Sequence, residues 1–361
     1  MNVFHCDHCG HLVFFENTQC VSCGHRLAWL PDAGVMAALA PGDDGTWTRS
    51  VPEAQGHRYR LCANDVEHAI CNWAVRADEP QALCRSCRLT HVIPDLGVPG
   101  NHRAWQVLEA AKRRLLQTLL ALHCPVDSKE DDPRDGLAFE FLADPPNPDA
   151  GPMLTGHADG VITVNIAEAD DVERERRRKQ LHEPYRTVLG HFRHEIGHYY
   201  WDRLLRDSPR LAAFRECFGD ERADYAQALD RYYEAGPAAD WQAAYVSAYA
   251  SAHPWEDWAE TWAHYLHMAD ALETVAACGL ALVPQRGDEP ALDATRLAGA
   301  LAGGSFDGLV ESWFPLTYLL NNLNRGLGLA DAYPFVLSSP VIEKLRFVHE
   351  TIAALRPPPA G

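Results

Sequence analysis

Two histidines four residues apart, with a glutamate between them, form the pattern in this sequence best suited to chemistry: His194-Glu195-Ile196-Gly197-His198. On a helix, positions i and i+4 share one face. Both imidazoles can then reach a single zinc ion, with Glu195 beside a zinc-bound water as its general base. Leu189 and Phe192 before the pattern, and Tyr199, Tyr200 and Trp201 after it, predict a buried helix. Buried imidazoles and a buried carboxylate need partners, and a metal is a sufficient one. A catalytic zinc takes three protein ligands and keeps one position open. The residues leave two candidates for the third ligand. One is Asp220 in FGDERADYAQAL (218–229), with Glu221 and Asp224 close by. The other is Glu256 in SAYASAHPWEDWAETWAHYLH (247–267), where Pro254 suits a helix start. That helix puts Glu256 and Glu260 one turn apart, so the first can bind zinc while Glu260 accepts the outer N–H of a ligand histidine.

A second chemistry lies in the cysteines. Of 11 in the chain, eight fall in the first 87 residues, six of them as CxxC pairs. An odd total in such clusters points away from a disulfide framework and toward thiolate metal sites in a reducing compartment. Cys6, Cys9, Cys20 and Cys23 form two CxxCG knuckles. The glycine after each lets the backbone curl under the sulfurs, and two knuckles close a tetrahedron around a structural zinc, predicting a zinc ribbon over 1–30. Cys62, Cys71, Cys84 and Cys87 are spaced less regularly and predict a second structural zinc within 55–96, with His57 and His68 as substitute ligands. Cys124, Cys217 and Cys278 stand alone and are expected as buried apolar thiols.

The elements that must position these groups change character near residue 100. Gly97-Val98-Pro99-Gly100 reads as a linker, so 101–361 is expected as a separate domain. AWQVLEAAKRRLLQTLLALH (104–123) has helical apolar spacing, whereas FEFL (139–142) and VITVNIA (161–167) are strand-like, the latter entered through Asp159-Gly160. The charged stretch 168–183 reads as a solvated face. Pro184 suits the first turn of the helix carrying the histidines, and the chain beyond is mostly helical to about Ala354, with a frayed RPPPAG tail. His157, His253, His264 and His267 are expected in structural roles, and Trp255, Trp258 and Trp262 as a core stripe. The fold class is α+β: a cysteine-rich zinc-ribbon region followed by a mostly helical domain with a small β-sheet.

Composition narrows the function classes. Thirty-two Lys+Arg against 50 Asp+Glu give a net charge of -18, a field that repels phosphate backbones. From Met1 to Leu27 the only Lys or Arg is Arg26, so a nucleic-acid-binding ribbon is not expected and a protein partner suits it better. No apolar run reaches the ~18–20 residues of a membrane span, and MNVFHCDHCGHLVFF lacks the basic flank and apolar core of a secretory signal. A cytoplasmic protein is expected.

HEIGH followed by the helix bearing Glu256-x-x-Ala259-Glu260 resembles the gluzincin metallopeptidases. The resemblance implies that Glu256 is the third ligand. In the branch similar to anthrax lethal factor, a tyrosine seven residues before that glutamate stabilises the transition state, which implies this role for Tyr249. CDHCG, CVSCG, RHEIGHYYWDRL, FGDERADYAQAL and HPWEDWAETWAHYLH together resemble a bacterial family of zinc-binding metallopeptidases with an N-terminal zinc ribbon, over nearly the whole chain. Asp220-x-x-Ala223-Asp224 resembles the ExxAD ligand helix of other HExxH peptidases, but with the shorter Asp in place of Glu. Glu221 and Asp224 then fall to a structural network. In HExxH peptidases a strand placed like VITVNIA lies at the edge of a small sheet above the zinc, where substrate adds to it. The implied function is a zinc metallopeptidase acting on peptide or isopeptide bonds, with one catalytic and two structural zincs. The alternative is a non-catalytic, zinc-scaffolded protein-binding module.

Overall fold

Short apolar runs broken by Gly and Asp turns make the N-terminal third a set of short strands. In the computed structural model, residues 3–51, 56–145, 147, 153, 155–181, 187–293 and 304–356 are described. Strands β1 (Phe4–His5) and β2 (Leu12–Val13) pair across the first CxxC knuckle. Then β3 (Arg26–Leu30), β4 (Val35–Pro41), β5 (Trp47–Arg49), β6 (Arg58–Leu61) and β7 (Ala74–Arg76) form one antiparallel sheet in sequence order, with helix α1 (Ala63–His68) between the last two. This sheet joins the two cysteine modules: β3 leaves from Cys23, β6 runs into Cys62, and β7 follows Cys71.

The second module continues into the next layer. A 3₁₀ turn, Cys87–Leu89, feeds β8 (Thr90–Val92), which pairs in parallel with β9 (Ala138–Leu142) on the far side of α2 (Asn101–Ala121). Strand pairing thus crosses the Gly97–Gly100 linker. Two further strands, β10 (Gly156–Ala158) and β11 (Val161–Asn165), complete a four-stranded sheet of order β10-β11-β9-β8. The VITVNIA strand is therefore interior, against the expectation from the sequence, and the edge is the three-residue β10. Its Gly-His-Ala composition carries little strand propensity, which hid it. Phe139 and Phe141 share one face of β9 and meet the ring of Phe192, two residues before the first histidine of HEIGH.

The remaining helices are α3 (Asp171–Leu181), α4 (Val188–Leu204), α5 (Leu211–Phe218), α6 (Tyr225–Ala235), α7 (Pro254–Cys278), α8 (Phe306–Gly326) and α9 (Ser339–Ala353). Helix α4 starts at Val188, capped by the Thr187 hydroxyl, which accepts from the Gly190 N–H at 2.9 Å. It does not start at Pro184, four residues earlier; Pro184 and the tail after Arg356 lie outside the described residues. Helix α7 begins at Pro254, with its cap supplied by the His253 ring. One apolar core runs from Phe4 and the cysteine sites through α2, α4 and α7 to Ile352. Ion pairs are sunk into it: Lys112 with Glu109, Arg193 with Asp270, and Lys344 with Asp257 at 2.6 Å. Among the lone cysteines Cys124 is buried, Cys217 half-buried and Cys278 exposed, because α7 ends at Cys278 and turns through the left-handed Gly279. No described helix is long and apolar enough to cross a membrane.

The axis of the helical layer is the crossing of α4 on α7. A Cβ at Gly197 would stand 2.9 Å from the Ala259 Cα, so this position must be glycine for the helices to approach so closely. Trp258 donates its indole N–H to the Gly197 carbonyl at 2.8 Å, pinning the same point.

Candidate metal centre

That crossing brings the first turn of α7 against the middle of α4. The His194 and His198 Nε2 atoms face each other at 3.2 Å, and Glu256 Oε2 lies 3.0 Å from the first and 3.5 Å from the second. Tetrahedral zinc with bonds of about 2.0–2.1 Å sets its ligand atoms about 3.3–3.4 Å apart, close to these separations. Glu256 is only 1% exposed, and its Oε2 is turned to the two imidazoles. Three ligand-type atoms, two of them on buried residues, thus converge on one point, and a cation there would satisfy all of them.

The electrostatics have the same shape. Burial pushes Glu256 up, but His198 and His194 outweigh it and hold the carboxylate well below its ordinary range. Burial opposes charge on His194, yet Glu256 and Glu260 hold it protonated well above the usual imidazole range. Without a metal, a proton supplies the positive charge that the site requires. On the outer side, His194 Nδ1 meets Glu260 Oε1 at 2.7 Å, and the other Glu260 oxygen accepts from the Ser247 hydroxyl at 2.6 Å.

The sulfur sites fit zinc as well. Zn–S bonds of about 2.3 Å put tetrahedral sulfurs about 3.8 Å apart. Cys6–Cys23, Cys9–Cys20 and Cys71–Cys84 each stand at 3.7 Å, and every cysteine is a free thiol. In the first site, backbone N–H groups of the Cys20 knuckle lower that thiol to about 6. In the second, all four cysteines are buried, and burial followed by the neighbouring Cys62 and Cys71 sulfurs pushes Cys84 well above its ordinary value. Such sulfurs become thiolates only against positive charge, which a metal and the adjacent buried Arg113 can supply. His57 is exposed and His68 packs on Trp105, so neither joins the four sulfurs.

Comparison with known proteins fits this picture. Residues 101–351 match the model of the family described as "Putative zinc-binding metallo-peptidase", and residues 3–98 match that of a zinc-ribbon domain. The chain belongs to this metallo-peptidase family. Uncharacterized proteins of Mycobacterium tuberculosis and Mycobacterium bovis are 44% identical over 358 residues, spanning 99% of this chain and 97% of theirs. No solved structure matches it significantly.

Within this family member, the other candidates lie as follows. Asp220 is exposed and paired with Arg222 at 2.8 Å, away from the histidines. Glu221 pairs with Arg215, and Asp224 caps α6 by accepting from the Gln227 N–H at 3.0 Å. Glu195 is buried on α4. Tyr249 sits in a 3₁₀ turn, Tyr249–Ser251, with its ring 5.9 Å from the His194 ring. Burial, then the Glu256 charge, raises its phenol well above the ordinary value, so it stays a neutral donor.

His157 lies on β10, stacked 6.4 Å from the His198 ring, but its Nε2 accepts from the Gly160 N–H at 3.0 Å. Burial lowers it to about 3, so it remains neutral and committed to the β10–β11 turn. His264 holds the Tyr333 hydroxyl at 2.6 Å, and His267 packs on Trp313. Trp258 and Trp262 are core residues as expected. Trp255 is half-buried and lies over His198 with ring centroids 4.0 Å apart, so it walls the site. Tyr225 was not a candidate in the sequence, yet its hydroxyl donates to Glu256 Oε1 at 2.5 Å. Its neighbours Asp220, Glu221 and Asp224 drew attention as carboxylates, and a phenol gives no comparable signal.

Proposed function

We propose that this protein is a zinc-dependent peptidase of the HExxH, gluzincin-like kind, cleaving peptide or isopeptide bonds. The observation that carries the reading is the convergence of His194 Nε2, His198 Nε2 and Glu256 Oε2 on one point from two rigidly crossed helices. Three protein ligands leave a fourth position open, which suits catalysis, whereas the two four-sulfur sites are closed and structural. When bound, zinc supplies Lewis acidity for a water and a substrate carbonyl.

The chain's own residues do the rest. Glu195 takes a proton from the attacking water and passes it to the leaving amine. The Tyr249 hydroxyl donates a hydrogen bond to the developing oxyanion. Glu260, anchored by Ser247, accepts the Nδ1 proton of His194 and so directs Nε2 at the metal. The substrate is a peptide or protein, and the acidic surface favours neutral or cationic ones. Free thiols throughout and two four-sulfur sites suit a reducing compartment, and we assign the protein to the cytoplasm.

The test is cleavage of a peptide library by zinc-loaded wild type and Glu195→Gln. Wild type cuts; the variant keeps its zinc and loses at least about a hundredfold in rate. Equal cleavage by both would remove Glu195 from the mechanism, and no cleavage by wild type would favour a binding scaffold.

A further inference from the structure

We infer that Tyr225 is a positioning residue that confines Glu256 to a single metal-facing oxygen and so keeps the fourth coordination position open; this rests on the metal-centre reading above. A glutamate ligand has two oxygens and can bind a metal through one or both. Here they have separate partners. Oε2 faces His194 and His198, whereas Oε1 accepts from the Tyr225 hydroxyl at 2.5 Å. If Oε1 turned toward the metal it would occupy the place that a water or substrate carbonyl needs. The phenol holds it back by a charge-assisted hydrogen bond.

The surrounding structure brings this phenol and this carboxylate together. Tyr225 is the first residue of α6, directly after its Asp224 cap, and Glu256 lies in the first turn of α7. The two helix starts are tied by His253. One ring nitrogen of His253 accepts from the Trp255 N–H at 3.1 Å, capping α7. The other meets the Ala223 carbonyl, just before α6, at 3.0 Å. The Tyr225 ring rests on His253 and Trp255 at 5.2 and 5.7 Å. Arg215–Glu221 and Arg222–Asp220 pairs brace the loop that leads into it. The segment FGDERADYAQAL, whose carboxylates stay away from the histidines, thus serves the site through its tyrosine.

The test uses Tyr225→Phe, which removes the hydroxyl and keeps the ring; the residue is 38% exposed, so folding tolerates the change. Wild type and variant are loaded with Co²⁺. The spectrum of a His194→Ala/His198→Ala variant is subtracted from each, leaving the histidine-site cobalt alone. Wild type should show the intense visible bands of four-coordinate cobalt. Tyr225→Phe should still bind the ion but show bands weakened about twofold or more, as the coordination number rises. Identical difference spectra would overturn the inference, and if turnover were nevertheless lost, Tyr225 would act on substrate instead. Absence of any histidine-site cobalt in wild type would overturn the metal-centre reading and this inference together.

Discussion

In the sulfur sites the ligands come from tight turns and short strands, whereas His194, His198 and Glu256 project from two long helices already locked at Gly197 and Ala259. Burial among the neighbouring sulfurs keeps Cys84 a neutral thiol unless a cation is there to draw out the thiolate. At the histidine site, Glu256 and Glu260 hold His194 protonated, so its charges are balanced within the fold itself. A site that must make the fold needs its metal to exist; a site that must do chemistry is better made by the fold first, so that metal and water can exchange without loss of structure. The two sulfur sites differ from each other too. Cys9 is exposed at the surface, while Cys62, Cys71, Cys84 and Cys87 are sealed in the common core and lead directly into β8 of the four-stranded sheet.

Three substitutions should separate these regions, in falling order of effect. Cys84→Ser breaks the buried sulfur site and, through β8, the sheet beside α4. It should cost about 5 kcal/mol and leave little folded protein. Denaturant unfolding monitored by far-UV circular dichroism would measure it, and a loss under about 1 kcal/mol would contradict the contrast. Gly197→Val forces a branched side chain against the Ala259 backbone and should cost about 3 kcal/mol while parting the histidines from Glu256. Its mark is a lowered thermal midpoint together with loss of the histidine-site metal; loss of stability with that metal retained would mean the crossing does not set the ligands. Cys9→Ser should cost about 1 kcal/mol, with faster amide exchange confined to residues 3–25. Exchange spreading into α4 and α7 would show that the surface ribbon supports the helical half directly.

Much of this contrast was legible in the residues, and the misses have physical reasons. The CxxCG knuckles and HEIGH are local patterns in which spacing alone dictates geometry, so the grouping of their side chains could be read directly. Glu256 and Glu260 could be paired because Pro254 marks a helix start. What escaped depends on contacts remote in sequence. Strand β10 has no intrinsic signal and exists because β11 offers it hydrogen bonds. Tyr225 reaches Glu256 across 31 positions through a bridge built by His253. Strand β8 joins the sheet across a stretch that reads as a linker. Cys278 was expected inside, but the end of α7 exposes it.

The central claim, that one fold-made histidine site stands apart from two fold-making sulfur sites, is tested most directly by counting zinc. Elemental analysis of folded wild type and of His194→Ala/His198→Ala should give three zincs per chain falling to two, with far-UV circular dichroism nearly unchanged. Two zincs in both proteins would contradict the account by showing that the histidines and Glu256 hold no metal.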